Sequence, residues 1–176
     1  MTDVIVVDQK DNPIGTEEKL KAHLDGKLHR AFSIFIFNSK GELMLQKRAK
    51  GKYHSGGLWT NTCCSHPKPN QDIQKEAQNR LKEEMDLECN LQEVFSLPYE
   101  AKVISQQGDL IEREFDHIFI GFLDGEPKMN PQEAEDWKWT GIDDLKKDMK
   151  ESPDKYTPWL HLILDKALQA KSNLEK

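Results

Sequence analysis

The chain has 176 residues, with 31 Asp and Glu against 25 Lys and Arg, for a formal net charge of −6. Its longest apolar run, Ala31 to Phe37, falls far short of the roughly 20 residues of a membrane span, and the acidic balance argues against nonspecific nucleic-acid binding, which leans on basic patches. Three cysteines, two of them adjacent, make no disulfide framework, and the opening MTDVIVVDQK lacks the pattern of a signal peptide, so one domain in a reducing cytoplasm is expected.

Val4 to Val7 reads as a short strand. Thr16, followed by Glu17 and Glu18, predicts an N-cap opening a short helix towards His23. Ala31–Phe37 and Glu42–Lys47 are expected as strands joined by the turn Asn38-Ser39-Lys40-Gly41. Lys50 to Gly57 is a basic, Gly-bearing loop, and Trp59 to Cys64 predicts a short strand. Asp72 is placed to cap a helix through Met85, on which Ile73, Ala77, Leu81 and Met85 recur at four-residue spacing. Leu91–Leu97, Tyr99–Ser105 and Leu110–Leu123 read as strands, the last two joined across Gln106-Gln107-Gly108-Asp109. Asp124-Gly125-Glu126-Pro127 is a further turn, and Trp137–Thr140 a last short strand. Thr157-Pro158 opens the final helix with Pro at its first position, and Leu160, Ile163, Leu164, Ala167 and Leu168 form its apolar stripe. This mixture predicts an α+β fold, an α/β sandwich, as a single domain over residues 1–176 with an N-terminal strand and helix extension up to about residue 28.

Three segments concentrate reactive side chains. His23 and His29 stand six residues apart, the second just before a strand. In TNTCCSHP, residues 60–67, an extended chain places Cys64 and His66 on one face. That pair could be a thiol with its base, zinc ligands together with Cys63 or Cys89, or a buried thiol without a role. On a strand, Glu112, Glu114 and Asp116 also share a face, and a buried row of like charges is costly unless a cation or proton is shared. Imidazoles plus carboxylates would make a mixed N/O site suited to magnesium, manganese or zinc.

The runs LHRAFSIFIFN at 28–38, LWTNTCCSHP at 58–67, RLKEE at 80–84 and ERE at 112–114, in this order and spacing, closely resemble the type I isopentenyl-diphosphate isomerases, a branch of the Nudix fold. The resemblance runs from about Lys19 to Trp159 and implies a mixed sheet flanked by helices. It implies that His23, His29, His66, Glu112 and Glu114 ligate one divalent metal, Mn2+, Mg2+ or Zn2+. It implies proton transfer by Cys64 and by Glu114 across the substrate, with Tyr99 assisting. Glu84 matches a carboxylate that holds Mg2+ against a diphosphate, and Lys19, Arg48, Lys52 and Arg80 match the cations around that diphosphate. Trp159 matches an aromatic facing the isoprenyl group. The implied partner is a small-molecule substrate, isopentenyl or dimethylallyl diphosphate, and the protein a monomer or weak homodimer that binds neither nucleic acid nor membrane.

Two departures from the family pattern stand out. Some relatives have a longer gap between the first two histidines, and Asp86 occupies a position usually held by glycine. In the frame of the hydrolase motif, Asn79 and Arg80 replace an Arg-Glu pair, while Ser65 and Gln71 take the positions of its starting Gly and first Glu. A diphosphate-cleaving centre needs several carboxylates around its metals, so the loss of two favours isomerisation. The alternatives are a Nudix hydrolase of a nucleoside diphosphate derivative and a non-catalytic, zinc-stabilised binding module built on Cys63, Cys64, His66 and Cys89.

Overall fold

A computed structural model describes residues 3–105 and 108–175. The chain opens with strand β1 (Asp3–Val7), strand β2 (Pro13–Glu18) and the short helix α1 (Lys19–Leu24). Strands β3 (His29–Phe37) and β4 (Leu43–Arg48) follow, then the two short strands β5 (Trp59–Thr60) and β6 (Cys63–Ser65). Helix α2 (Ile73–Met85) leads into the long hairpin partners β7 (Leu91–Ser105) and β8 (Gly108–Phe122). Strand β9 (Ala134–Thr140) and helices α3 (Ile142–Glu151) and α4 (Pro158–Leu174) complete the α+β architecture.

The centre of the mixed sheet is β3. It pairs in parallel with β8 along its whole length, from His29 opposite Glu114 to Phe37 opposite Phe122. One edge of β3 is thereby filled, and its other edge is shared in succession by β1 at His29, β6 at Phe32 to Ile34 and β4 at Phe37. Alternate side chains of β3 therefore serve two cores. Phe32, Ile34 and Ile36, with Phe119 of β8, pack beneath Ala77, Leu81 and Met85 of α2. Phe35 and Phe37, with Ile118 and Ile120, pack beneath Leu145 and Met149 of α3 and Trp159, Leu160, Ile163 and Leu164 of α4. Each of these large side chains contributes roughly 1.5–3 kcal/mol by leaving water.

The second of these faces changes character along its length. Going back from Phe37 and Phe35, β3 presents Ser33, Ala31 and then His29. On β8 the matching positions run from Ile120 and Ile118 to Asp116, Glu114 and Glu112. Small and ionisable side chains thus replace the phenylalanines at one end of the same face, and a cavity opens there.

Several elements differ from the sequence-based expectation. Thr16 is not a helix cap: it lies in β2, an exposed edge strand with no apolar pattern that is held by its pairing to β1. Glu18 caps α1 instead, its carboxylate accepting from the backbone N–H groups of Leu20 and Lys21. The stretch from Trp59 to Cys64 is not one strand, because β5 pairs with β4 and β6 with β3. Conversely, Leu91 to Ser105 is continuous through Pro98. Proline is tolerated there because β7 pairs only with β8 and so lies at an edge among the described residues. Helix α3 was not expected at all. The turn residues Gln106 and Gln107 lie outside the described residues.

Asp72 caps α2 as the sequence suggests, accepting from the Lys75 N–H at 2.9 Å. At the other end, Asp86 takes the left-handed conformation, φ 53° and ψ 36°, that the usual glycine would supply, so the helix exit is kept. Asp is one of the few residues that adopts it at modest cost. Asp86→Val places a β-branched residue in that conformation. It should lower unfolding free energy by about 1–2 kcal/mol in a urea titration, whereas Asp86→Gly should not destabilise.

Candidate active site

Four donors, three of them buried and His66 half-buried, meet at the open end of the β3–β8 pair. Glu114 Oε1 lies 2.8 Å from His66 Nε2, 3.6 Å from His29 Nε2 and 3.9 Å from His23 Nε2. The pairing that places His29 directly opposite Glu114 builds half of this group. β6 carries the chain to His66 across the other edge of β3, and α1 delivers His23 from above. Ring orientations are set by the backbone: His23 Nδ1 donates to the Lys19 carbonyl at 2.7 Å and His29 Nδ1 to the Lys27 carbonyl at 2.8 Å. An imidazole that donates through Nδ1 and carries one proton has its lone pair on Nε2.

The donor set fits a divalent cation. The four ligand atoms lie within 4.8 Å of one another. His29 Nε2 and His66 Nε2 face each other at 3.2 Å, and the buried His23 Nε2 has no hydrogen-bond partner. Converging lone pairs beside a carboxylate oxygen are answered by a metal ion, and imidazoles that donate through their other nitrogen are the usual metal ligands. Burial lowers the pKa of His23 to about 4 and of His66 to about 3, so both rings are neutral at pH 7 and ready to ligate.

The carboxylates divide. Burial pushes Glu114 up, but the neighbouring His66 and His29 imidazoles more than offset it and hold the carboxyl well below the usual range. Its second oxygen accepts from the Tyr99 hydroxyl at 2.5 Å, and Tyr99 stands opposite Glu114 in the β7–β8 ladder. Burial, reinforced by the Glu114 charge, pushes Glu112 well up. The resemblance grouped Glu112 with the other four ligands. The structure sets it in a neighbouring group with His23 and His54, its Oε1 3.2 Å from His54 Nε2.

The cavity beside these groups is lined by Lys19, Arg48, Lys52, Arg80, Cys64, Tyr99, Glu112, Glu114, His66 and Trp159, all expected, together with Tyr53, His54 and Ser65. His54 and Tyr53 had no legible signal, since one histidine in a basic loop fits no spacing rule. Among the described residues, neither Lys19 nor Arg48 forms an ion pair. Arg48 lies 5.2 Å over the Trp159 ring, 4.0 Å from Cys64 Sγ, and donates to the His54 carbonyl. Lys52 pairs with Glu133, and Arg80 with Glu83, Glu84 and Glu133. Trp159 is buried, with its indole N–H donating to Asn61. Glu84 differs from the others: it is buried, not among the cavity-lining residues, and accepts from Arg80 at 2.5 Å and Gln46 at 2.9 Å.

Adjacent cysteines point to opposite faces. Cys63 is buried in the core under α2, while Cys64, paired opposite Ser33, faces the cavity. Neither metal-capable group among the described residues contains a cysteine, so nothing here gathers the thiolates that a zinc-stabilised module would need.

A NUDIX domain model matches residues 27–160. The chain is 51% identical over 169 residues to isopentenyl-diphosphate Delta-isomerase 2 of Aromatoleum aromaticum, covering 96% of this chain and 88% of that one. It is 50% identical to isopentenyl-diphosphate Delta-isomerase of Serratia proteamaculans, covering 92% and 88%. The chain belongs to the isopentenyl-diphosphate Delta-isomerase family. Its fold also matches the crystal structure of DR0079 from Deinococcus radiodurans, with a TM-score of 0.72 at 14% identity over 97% of this chain and 98% of that one. A MutT protein from Methanosarcina mazei matches with a TM-score of 0.63, again at 14% identity, over 85% and 96%. These two likenesses concern the fold alone. No helix among the described residues is long and apolar enough to cross a membrane.

In this isomerase-family site, burial pushes the Cys64 thiol up to about 12, the Arg48 charge only partly opposing it. The thiol therefore keeps its proton throughout the neutral range, and thiolate appears only as pH rises towards 12. Iodoacetamide at pH 8 should label Cys64 about 10³-fold more slowly than an ordinary exposed thiol with a pKa near 9.0. Mass spectrometry of the peptide carrying Cys64 measures this.

Proposed function

We infer that the protein isomerises isopentenyl diphosphate to dimethylallyl diphosphate. The observation that carries this reading is a cavity in which a protonated thiol and a hydrogen-bonded carboxylate share one enclosure with unpaired cations. Shifting a terminal double bond inward requires a proton added at one carbon and another removed from a neighbour, through a state with tertiary carbocation character. Such a state survives only where water is kept away.

In this proposal Cys64 and Glu114 are the two proton carriers. They stand on β6 and β8, strands flanking β3 on opposite edges, so the substrate can be approached from two sides, as an antarafacial exchange requires. The Cys64 thiol holds a proton at neutral pH. Glu114 is ionised and can accept one, and the Tyr99 hydroxyl, bonded to its second oxygen, can pass it on. Trp159 offers its π face to developing positive charge, an interaction worth about 2 kcal/mol when desolvated. Lys19, Arg48, Lys52 and Arg80 bind the diphosphate. Lys19 and Arg48 carry most of this argument, because a cation facing a cavity without a carboxylate calls for an anion.

A divalent ion, Mn2+, Mg2+ or Zn2+, held by His23, His29, His66, Glu112 and Glu114 would supply the positive charge that keeps both carboxylates ionised in a dry site. We also assign Mg2+ on the diphosphate to Glu84, which Arg80 links to the cavity wall. The histidine-rich donor set favours the metals that accept imidazole, zinc or manganese, over magnesium at the first position. We take the protein to act in the cytoplasm as a single domain, a monomer or weak homodimer, apart from nucleic acid and membranes.

Hydrolysis of a nucleoside diphosphate derivative is less well supported: the hydrolase frame lacks two carboxylates, and the MutT likeness extends only to fold. Proton NMR in heavy water, with isopentenyl diphosphate and magnesium, should show dimethylallyl diphosphate carrying deuterium and no released phosphate. Phosphate release without isomerisation would overturn the assignment. Cys64→Ala should fold normally by circular dichroism and lose roughly 10²–10⁴-fold or more in turnover; a wild-type rate would remove Cys64 from the chemistry. Tyr99→Phe, which deletes the hydroxyl bonded to Glu114, should lower kcat by about 10-fold or more with little change in KM.

A further inference from the structure

The strongest feature that the proposed reaction leaves without a role is His54. It is 6% exposed and wedged between aromatic rings, with centroids 4.3 Å from Tyr53 and 6.0 Å from Trp159. Its main chain is fixed as well, the carbonyl accepting from Arg48 and the backbone bridging to Ser105. A buried, doubly anchored imidazole aimed at a carboxylate is not a solvated loop residue.

Two donor groups share one residue. One comprises His23, His29, His66 and Glu114, and the other comprises His23, His54 and Glu112. The shared member is His23, whose Nδ1–H is committed to the Lys19 carbonyl. Only Nε2 is left, and a neutral imidazole has one lone pair there. That lone pair serves one ion at a time, so the two groups are not two independent sites. In the second group, Glu112 Oε2 is buried and has no hydrogen-bond partner, just as His23 Nε2 has none. The two orphaned atoms, His23 Nε2 and Glu112 Oε2, both belong to the second group, and His23 ties that group to the cation of the first.

We propose that His54 is a ligand of this metal centre, joining His23, His29, His66, Glu112 and Glu114 as a sixth protein donor. This goes beyond the isomerase reading, which assigned five ligands and left His54 idle. Four imidazoles with two carboxylates select for transition metals over magnesium. Six protein donors fill an octahedral shell, the pattern of a closed site rather than one holding an open position for water or substrate. The ion then acts through its charge, and the coordinated-water count is the property that His54 controls.

The test reads the metal, not the reaction. X-ray absorption on the zinc-loaded wild-type protein should count four imidazole nitrogens; three would overturn the proposal whatever any variant does. Water-proton relaxation of the manganese-loaded protein supplies the second arm, using His54→Phe to keep a ring between Tyr53 and Trp159 while deleting the nitrogens. That variant should hold Mn2+ with one more coordinated water than wild type and bind it at least about 10-fold more weakly in chelator competition. Unchanged hydration and affinity would overturn the proposal. An isopentenyl diphosphate assay on the same samples reports separately on the isomerase reading, so the two can fail independently.

Discussion

The site depends on one pairing, β3 alongside β8 in parallel with His29 opposite Glu114. Because side chains alternate with a period of two, a slip of one residue would exchange every inward and outward position on β8. Arg113, Phe115 and His117 would then face α4, and the three carboxylates would face α2. The register is protected by what lies farther along the same strands. Phe35, Phe37, Ile118 and Ile120 are buried on one face, and Phe32, Ile34, Ile36 and Phe119 on the other. A catalytic arrangement of ionisable groups is thus held in place by apolar packing some residues away, and that packing carries the cost of burying the charges.

Parts of this were legible in the sequence because the relevant signal is local. Alternation along 110–123, the four-residue spacing on α2 with Asp72 before it, and Pro158 at the start of α4 each encode their element in neighbouring residues. β2 could not be read the same way. Pro13 to Glu18 has no apolar alternation, and its strand character comes from the partner β1. Thr16 followed by two glutamates looks like a cap, yet the cap is two residues later at Glu18. Pro98 suggested a break in β7, but an edge strand does not need that N–H. At 59–64 the composition concealed a change of partner, from β4 to β3, which no local pattern records.

The candidate site divides along the same line. Spacing on extended chain singled out Cys64, His66, Glu112 and Glu114 as sharing faces, but their roles came only from the family resemblance. Their grouping in space was not legible from spacing. The resemblance placed five ligands around one ion; the structure gathers four of them directly and sets Glu112 beside His54 and His23, the residue common to both groups. His54 arrives from a loop whose composition reads as basic surface. Glu84, matched from the motif, lies behind Arg80 and away from the cavity lining.

The acidic net charge and the proposed anionic substrate are compatible for a structural reason. Glu112 and Glu114 line the cavity, Glu112 facing His54, while Glu83, Glu84 and Glu133 contact its lining cations from outside the lining and Asp116 lies next along β8. Glu83, Glu84 and Glu133 are matched to Arg80 or Lys52. Glu114 is matched to imidazoles and to Tyr99. Asp116 is buried, accepts from Ser33 at 2.8 Å and is pushed well above the usual carboxylate range, first by burial and then by the Glu114 charge. Burial and the Glu114 charge thus both disfavour a further negative charge at Asp116. Lys19 and Arg48 are the cations left over. An anion entering the cavity meets positive charge that no carboxylate has already claimed, and the net charge of the chain describes only the rest of the molecule.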